Sequence, residues 1–326
     1  MNQVDYALLY MRAKSGDRAA LTRLISALEM RAPSLEAARQ DIHVDGGRAR
    51  VIGVTGAPGS GKSSLIDAIT AELRTRGRTV AVVAVDPSSA LTGGALLGDR
   101  IRMSRHTLDE GVLVRSMSSR GAFGGLARAT SDVVALLDAV GWEYILVETV
   151  GVGQAEVDVM KLADTVAVVT PPGLGDDIQA IKAGLLEVAD IHVVNKADLA
   201  DAKRTASDLL SMLTMGRLRD DRAWSVPVMM TEALTAKGVP ELVDAFDAHH
   251  EWLEASGEGQ LRKRQRTVDR LRVLVRDRLM ESIEDPANSA SFQDMVDRVV
   301  RRTLSPQAAV DSLIAAVRVE AYSSRG

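Results

Sequence analysis

The chain has 326 residues, of which 46% are hydrophobic, 3% are aromatic and none is cysteine. Its formal net charge is −4 and its pI is about 5.8, which argues against a nucleic-acid-binding protein because such proteins usually carry a basic face. The lack of cysteine excludes disulfides and thiolate metal sites. The sequence shows neither a signal core nor an apolar run long enough to span a membrane (about 18 residues), so we expect a cytoplasmic protein without membrane contact.

Residues 1–47 have the spacing of a helical N-terminal extension. Asp17 is a candidate N-cap, because its side chain can accept a hydrogen bond from the first turn of a helix. The stripe that follows falls on one helical face and consists of Leu21, Leu24, Ile25 and Leu28.

Residues 48–255 alternate short β-branched runs with helical segments. The runs are apolar without clean alternation, so both faces of each strand should be covered, as in a parallel sheet with helices on both sides. The expected strands are RVIGVTG, TVAVVAVD, VLVRSM, YILVETVG, TVAVVTPP, IHVVNKAD and VPVMMTE.

The first strand is followed by GAPGSGKSS at residues 56–64, which matches the phosphate-loop pattern G-x-x-x-x-G-K-[ST]. Its glycines let backbone N–H groups face phosphates at a helix N-terminus. Lys62 should reach the β- and γ-phosphates, and the Ser63 hydroxyl should bind Mg²⁺. The alternative is a glycine-rich turn before an ordinary helix. With this motif, the expected fold class is α/β: a mostly parallel-sheet P-loop GTPase domain with helical N- and C-terminal extensions.

Acidic residues stand at the ends of two later strands. Asp86 ends VAVVAVD and Glu148 ends YILVE, and ligands of an open parallel sheet bind at this edge. An apolar run that ends in an acid is the arrangement that holds Mg²⁺ in GTPases, although most of them have Asp where Glu148 stands. Asp99, in a glycine-rich stretch, could join the same cluster. The alternative is that each acid caps a helix or turn.

Two further segments fall on the same side. Gly151 would place its N–H near the γ-phosphate, so that the order of its loop depends on that contact. Gln154 could orient the attacking water or could simply open the next helix. Residues 171–182 form a second loop rich in glycine and proline.

The base is indicated by Asn195-Lys196-x-Asp198 after an apolar strand. One carboxylate can accept from both the ring N–H and the exocyclic amine of guanine, and adenine would leave a buried Asp198 unpaired. Lys196 would lie along the base and Asn195 would brace the loop. The backbone near Ala233 should meet the base, but Glu232 stands where Ser is usual.

From residue 256 the chain becomes charged and its strand-like runs stop. Two apolar stripes precede Pro286 and follow Ser305, a candidate N-cap before Pro306. A segment of this size can hardly make its own large core, so we expect residues 256–326 to pack on the main domain or on a second copy. The stripes are Val268, Leu271, Val275, Leu279 and Ile283, then Val310, Leu313, Ile314 and Val317.

These motifs in this order resemble the methylmalonyl-CoA mutase-associated GTPases of the MeaB/ArgK type, which belong with the metal-centre assembly GTPases. The resemblance covers most of residues 45–250 and rests on long blocks. They are GAPGSGKSSLI, VAVDPSSALTGGALLGDRIRM, RSMSSRGAFGGLA, ILVETVGVGQAEVDV and NKADL.

The resemblance implies a GTP-hydrolysing chaperone of an adenosylcobalamin-dependent acyl-CoA mutase, which couples GTP state to cofactor loading and mutase protection. It implies Mg²⁺-related roles for Ser63, Asp86, Asp99 and Glu148, and a switch that includes Gln179 and Lys182. It also implies a homodimer through the C-terminal helices. Thr92-Gly93-Gly94 stands where Ser-Gly-Gly is more usual, so the client is methylmalonyl-CoA mutase or a relative.

The motifs and the resemblance together indicate GTP or GDP and Mg²⁺ as cofactors, and they give the following candidate site residues. The catalytic candidates are Lys62, Asp99, Glu148 and Gln154. The nucleotide-binding candidates are Gly56, Ala57, Pro58, Gly59, Ser60, Gly61, Lys62, Ser63, Ser64, Gly151, Asn195, Lys196, Asp198, Glu232, Ala233 and Leu234.

No arginine is assigned as an arginine finger, and we therefore expect slow hydrolysis that a partner accelerates. The arginines near the relevant segments, which could equally be surface charges, are Arg100, Arg102, Arg105 and Arg120. Three alternatives stay open. A metal-delivery GTPase would need Cys or clustered His, and His249-His250, the only such pair, is expected to be solvated on a surface helix. A small-molecule kinase or transport-linked ATPase conflicts with the guanine motif. A nucleotide-binding interaction module would show no significant turnover.

Overall fold

A computed structural model describes residues 4–32, 35–86, 104–106, 108–118, 125–149, 160–173, 188–215, 224–284 and 289–323. Within these ranges the chain forms ten α-helices and seven strands. The strands are β1 (Arg50–Gly56), β2 (Val80–Asp86), β3 (Val112–Ser118), β4 (Tyr144–Thr149), β5 (Thr165–Thr170), β6 (Ile191–Asn195) and β7 (Val228–Thr231). All seven strands expected from the sequence are therefore present.

The helices fall before, between and after the strands. Three precede the sheet: α1 (Tyr6–Lys14), α2 (Arg18–Glu29) and α3 (Glu36–Asp45). Four connect or follow strands: α4 (Lys62–Thr75), α5 (Gly125–Ala139), α6 (Ala202–Met215) and α7 (Val239–Ser256). Three end the chain: α8 (Glu258–Glu284), α9 (Ser289–Val300) and α10 (Pro306–Ser323). The predicted caps of α2 and α10 are confirmed, since Asp17 accepts from the Ala20 N–H and Ser305 accepts from the Ala308 N–H.

The seven strands form one parallel sheet in the order β3-β2-β4-β1-β5-β6-β7. Because β1 lies between β4 and β5, the chain runs outward from β1 in both directions, and the loop after β1 opens at the point where ligands of such sheets bind. The central strands β4, β5 and β6 are buried along their whole length. The expectation that both faces of every strand are covered is wrong for the two edge strands. β7 is only half-buried, and so is β3 at residues 113–116.

Each face of the sheet is covered by its own apolar cluster. On one face, α2 and α3 pack against α5, and the predicted α2 stripe is buried there with strand residues such as Val83 and Val168. On the other face, α4 packs against α7, and Leu65, Ile69 and Phe246 are buried with alternate strand residues. Successive side chains of a strand point to opposite faces of the sheet, so each strand contributes residues to both clusters.

The chain divides into two compact units, residues 1–259 and 260–326. The first contains the N-terminal helices and the whole sheet. The second contains most of α8 together with α9 and α10, and α9 packs against α10. No helix in the described part of the chain is both long and apolar enough to cross a membrane.

Candidate nucleotide-binding site

The phosphate-loop motif lies at the carboxyl edge of the sheet, where β1 ends and α4 begins. Gly56 has φ +140°, and a Cβ there would overlap the Val169 carbonyl of the neighbouring strand. Gly61 is the left-handed N-cap of α4 with φ +87°, and a Cβ there would lie 2.5 Å from Asn195 Nδ2. Both positions therefore require glycine. The loop places the N-terminus of a 14-residue helix at the site, which suits an anion.

Lys62 is buried at the first position of α4. Its Nζ donates to the Gly56 carbonyl at 2.9 Å and to the Ala57 carbonyl at 3.0 Å. Burial lowers the pKa of Lys62, while the charge of Glu148 opposes that shift. The ammonium is thus held inside the loop beside a carboxylate, where a cation that contacts phosphates should lie.

Ser63 and Glu148 meet at the same edge. The Ser63 hydroxyl donates to Glu148 Oε1 at 2.6 Å, and Glu148 is only 3% exposed at the end of β4. Behind them the Thr149 hydroxyl donates to the Thr55 hydroxyl at 3.1 Å. The strand register explains why Ser63 and Glu148 are in contact, since β4 pairs with β1 from Arg50 to Val54. Parallel pairing therefore brings one strand end beside the other.

Among the rest of the phosphate loop, Ser60 is fully buried, whereas Pro58, Gly59 and Ser64 are exposed. The predicted residues Asp99, Gly151, Gln154, Gln179 and Lys182 lie outside the described residues. For Asp86 only the backbone at the end of β2 is described. Two of the four predicted metal-binding side chains, Ser63 and Glu148, are thus described and are in contact. In the described ranges no three His, Asp or Glu side chains cluster as metal ligands.

Asn195, the last residue of β6, connects three parts of the site. Its Nδ2 donates to the Ser60 carbonyl at 2.9 Å, and its Oδ1 accepts from the Thr231 hydroxyl and from the Ala233 N–H, both at 3.2 Å. Lys196 has φ +59°, and its Nζ donates to the Gly59 carbonyl at 2.8 Å. The predicted base-reading motif is therefore bonded directly to the predicted phosphate loop.

Asp198 is exposed, so the expectation of a buried acid does not describe this structure. It lies three residues beyond the end of β6, in the turn after the sheet, where its side chain is accessible to solvent. Leu234, also assigned to the base, is 94% exposed, while Ala233 is half-buried against Asn195.

Glu232 faces its own loop. It accepts from Lys237 Nζ at 2.8 Å and from the Thr235 hydroxyl at 3.1 Å. Sequence reasoning named neither Lys237 nor the Thr231 hydroxyl that contacts Asn195. Thr231 could have been found, because it ends the strand that precedes the base-contacting loop. The contact between Lys237 and Glu232 forms only when the loop closes, so no local pattern in the sequence indicates it.

Arg105 and the His249-His250 pair, both named from the sequence, lie among the described residues, whereas Arg100, Arg102 and Arg120 do not. Arg105 pairs with Asp67 of α4 at 2.5 Å. His249 is fully buried, its Nδ1 lies 2.8 Å from the Thr165 hydroxyl, and its ring centroid is 4.7 Å from that of Trp224. The prediction that the His249-His250 pair is solvated is therefore wrong for His249. It falls three residues after the buried Phe246, on the face that α7 packs against the sheet.

The sequence matches the family model described as "Methylmalonyl Co-A mutase-associated GTPase MeaB" over residues 21–288. The chain belongs to the MeaB family. It is a GTPase with a P-loop fold, from a family described as associated with methylmalonyl-CoA mutase.

Individual relatives cover most of this MeaB-family chain. A protein of Pyrococcus abyssi named as a GTPase is 44% identical over 310 residues, which is 94% of this chain and 95% of that protein. The mouse protein named methylmalonic aciduria type A homolog, mitochondrial, is 32% identical over 271 residues, 82% of this chain and 65% of that protein. A crystal structure titled LAO/AO transport system kinase is similar with TM-score 0.69 and 28% identity, over 98% of this chain and 99% of that one.

Proposed function

We propose that this MeaB-family protein binds and hydrolyses GTP at the carboxyl edge of the sheet, with guanine read by Asp198 and the 232–234 backbone. The observation that carries the proposal is the double role of Asn195, which bonds to both the phosphate loop and the Ala233 N–H. Because Asn195 bonds to both segments, it fixes the distance between the phosphate-binding loop and the base-contacting loop. Lys62 would then contact the β- and γ-phosphates.

The donor set also fits Mg²⁺. Ser63 Oγ and Glu148 Oε1 lie 2.6 Å apart at the start of α4, and Mg²⁺ prefers hydroxyl and carboxylate oxygens. When bound, the ion would neutralise charge that develops on the phosphates. We assign Ser63 and Glu148 to hold it, together with Asp86 at the end of β2 and with Asp99. Glu148 would orient the Ser63 hydroxyl, and Gln154 would orient water.

We further propose that the protein is a chaperone of an adenosylcobalamin-dependent acyl-CoA mutase, methylmalonyl-CoA mutase or a relative. The family description supports the client. Gly151, Gln154, Gln179 and Lys182 would report the nucleotide state, because a partner that prefers one conformation of a nucleotide-dependent segment is controlled by the nucleotide. GTP state would thereby be coupled to cofactor loading and mutase protection. We expect slow hydrolysis by the isolated protein and faster hydrolysis with its client.

A homodimer through the C-terminal helices belongs to the same proposal, and the cysteine-free sequence fits a cytoplasmic site of action. Within residues 260–326 the helices leave an apolar groove of about 770 Å³. Several of its side chains remain exposed, including Leu271 at 56% and Val275 at 59%. A second copy offers the same apolar surface, and self-complementary contacts are the usual basis of homodimers. The groove residues include Val268, Leu271, Val275, Leu279, Phe292 and Ile314.

The client is tested by affinity capture with the full chain. The tagged protein, loaded with a non-hydrolysable GTP analogue or with GDP, is incubated with lysate of the native host, and retained proteins are identified by mass spectrometry. We expect a subunit of a cobalamin-dependent mutase to be retained in a nucleotide-dependent way. Addition of the purified mutase should then raise the GTP hydrolysis rate. A mutase that is not retained in either state, or that leaves the rate unchanged, contradicts the chaperone proposal.

A further inference from the structure

The loop between β7 and α7 closes on itself at residues 232–237. The Glu232 N–H donates to the Lys237 carbonyl at 2.9 Å, and the Thr235 N–H donates to the Glu232 carbonyl at 3.2 Å. Ala236 has φ +59°, and Gly238 has φ +75° where a Cβ would overlap the Met230 carbonyl. The backbone thus returns to its starting point within six residues, which fixes where Ala233 lies.

Side chains close the same loop a second time. Glu232 Oε1 accepts from Lys237 Nζ at 2.8 Å, and Glu232 Oε2 accepts from the Thr235 hydroxyl at 3.1 Å. The Glu232 side chain is 16% exposed, while that of Lys237 is 76% exposed. The hydrogen bonds from Lys237 and Thr235 hold the pKa of Glu232 below its ordinary value. Both carboxylate oxygens are therefore occupied within the loop.

This closure is coupled to the base site at two points. Ala233 follows Glu232 directly, and its N–H donates to Asn195 Oδ1 at 3.2 Å. Lys237 also lies within the field of Asp198: hydrogen bonding and charge from Glu232 raise the pKa of Lys237 most, and the Asp198 carboxylate adds to the rise. The Lys237 ammonium therefore bonds the carboxylate that closes the loop, and the carboxylate assigned to guanine adds a weaker long-range attraction.

We propose that Glu232 and Lys237 are a positioning pair for guanine nucleotide, which presets the base-contacting loop and slows release of the bound nucleotide. The inference rests on the proposed guanine site and adds residues to it. A loop that is already ordered loses less conformational entropy when a ligand binds. Glu232, at a position where Ser is usual in GTPases, thus has a role of its own in the loop.

The test measures dissociation of a fluorescent GDP by stopped flow from the full chain and its variants. Lys237→Met removes the ammonium at an exposed position, so the fold should tolerate it, and Glu232→Gln removes the charge with little change of shape. We expect each to release GDP about two- to fivefold faster, the range for an exposed ion pair. The double variant should be no faster than the single ones, because both changes remove one shared interaction.

Two matched variants complete the experiment. Lys237→Arg keeps the charge and a single N–H contact, and it should restore release to within about twofold of the unsubstituted rate. Lys203→Gln changes an exposed lysine of α6 outside the loop and should leave release unchanged. If the unsubstituted chain binds no guanine nucleotide, the proposed function itself fails. If it binds GDP but the variants release it at the original rate, or the two effects simply add, the positioning pair alone is overturned.

Discussion

The two units of the chain differ in how completely they bury their apolar side chains. In residues 1–259, large aliphatic residues such as Leu24, Ile69 and Val168 have 0% exposure. In residues 260–326, Leu271 and Val275 of α8 are more than half exposed. The first unit therefore covers its own core and can concentrate polar groups at one edge of its sheet. The second leaves an apolar surface that a soluble monomer rarely exposes over a large area, so we assign chemistry to the first and association to the second.

The largest expected effect tests the chemistry assigned to the first unit. Asp198→Asn should weaken GTP binding by at least about 150-fold, since hydrogen bonds to a charged acceptor contribute roughly 1.5–3 kcal/mol each and two would lose that acceptor. The same variant should accept xanthosine triphosphate, because an amide can donate to the 2-oxo group of xanthine. Binding of both nucleotides is measured by isothermal titration calorimetry.

The matched control is Asp201→Asn, three residues further on and also exposed, which should bind GTP normally. An Asp198→Asn protein that still prefers GTP would remove our assignment of the base. We also expect the Asp198→Asn variant to keep the oligomeric state of the original chain. That result would separate guanine recognition in residues 1–259 from association through residues 260–326.

The second prediction concerns the exposed surface of the other unit. Val275→Glu places a charge in the middle of the α8 stripe, and burial of an unpaired charge at an interface should raise the dimer dissociation constant by at least about 30-fold. Light scattering after size-exclusion chromatography measures the mass. Lys263→Glu changes an exposed residue of the same helix and is the control. GTP hydrolysis by the isolated protein should stay unchanged, and an unaltered mass would show that the stripe does not join two copies.

Sequence patterns predicted the parts of this fold that follow from periodicity and local motifs. All seven strands appear, because runs such as YILVET are apolar on both faces, as a central parallel strand requires. The phosphate loop and Asn195 could be placed together because parallel strands end at one edge of the sheet. The Ser63–Glu148 contact follows from the same rule.

Other features depend on tertiary contacts that no local pattern contains. The Glu232–Lys237 pair requires a loop to close, and its residues have no periodicity. His249 was expected to be solvated on a surface helix, but it lies three residues after Phe246 on the buried face of α7. His192 in β6, by contrast, is fully buried, as the expectation that both faces of each strand are covered requires.

The smallest of the three expected effects is the pH dependence of stability caused by His192. It tests whether the core of residues 1–259 excludes solvent. Burial lowers the pKa of His192 to about 4 from an ordinary value of 6.5, so the folded state keeps the ring neutral while the unfolded state takes up a proton below pH 6.5. Stability is therefore complete above pH 6.5 and falls as the pH drops toward 4. Between pH 7 and 5.5 the loss from this group should be about 1 kcal/mol.

Guanidinium chloride unfolding at several pH values, followed by tryptophan fluorescence, measures this loss. The reference is His192→Leu, which has no titrating ring and should show a pH dependence smaller by the same amount, whatever its stability at pH 7. Equal slopes for the original chain and His192→Leu would mean that solvent reaches the ring, and the core of the first unit would then be less closed than the exposure values indicate.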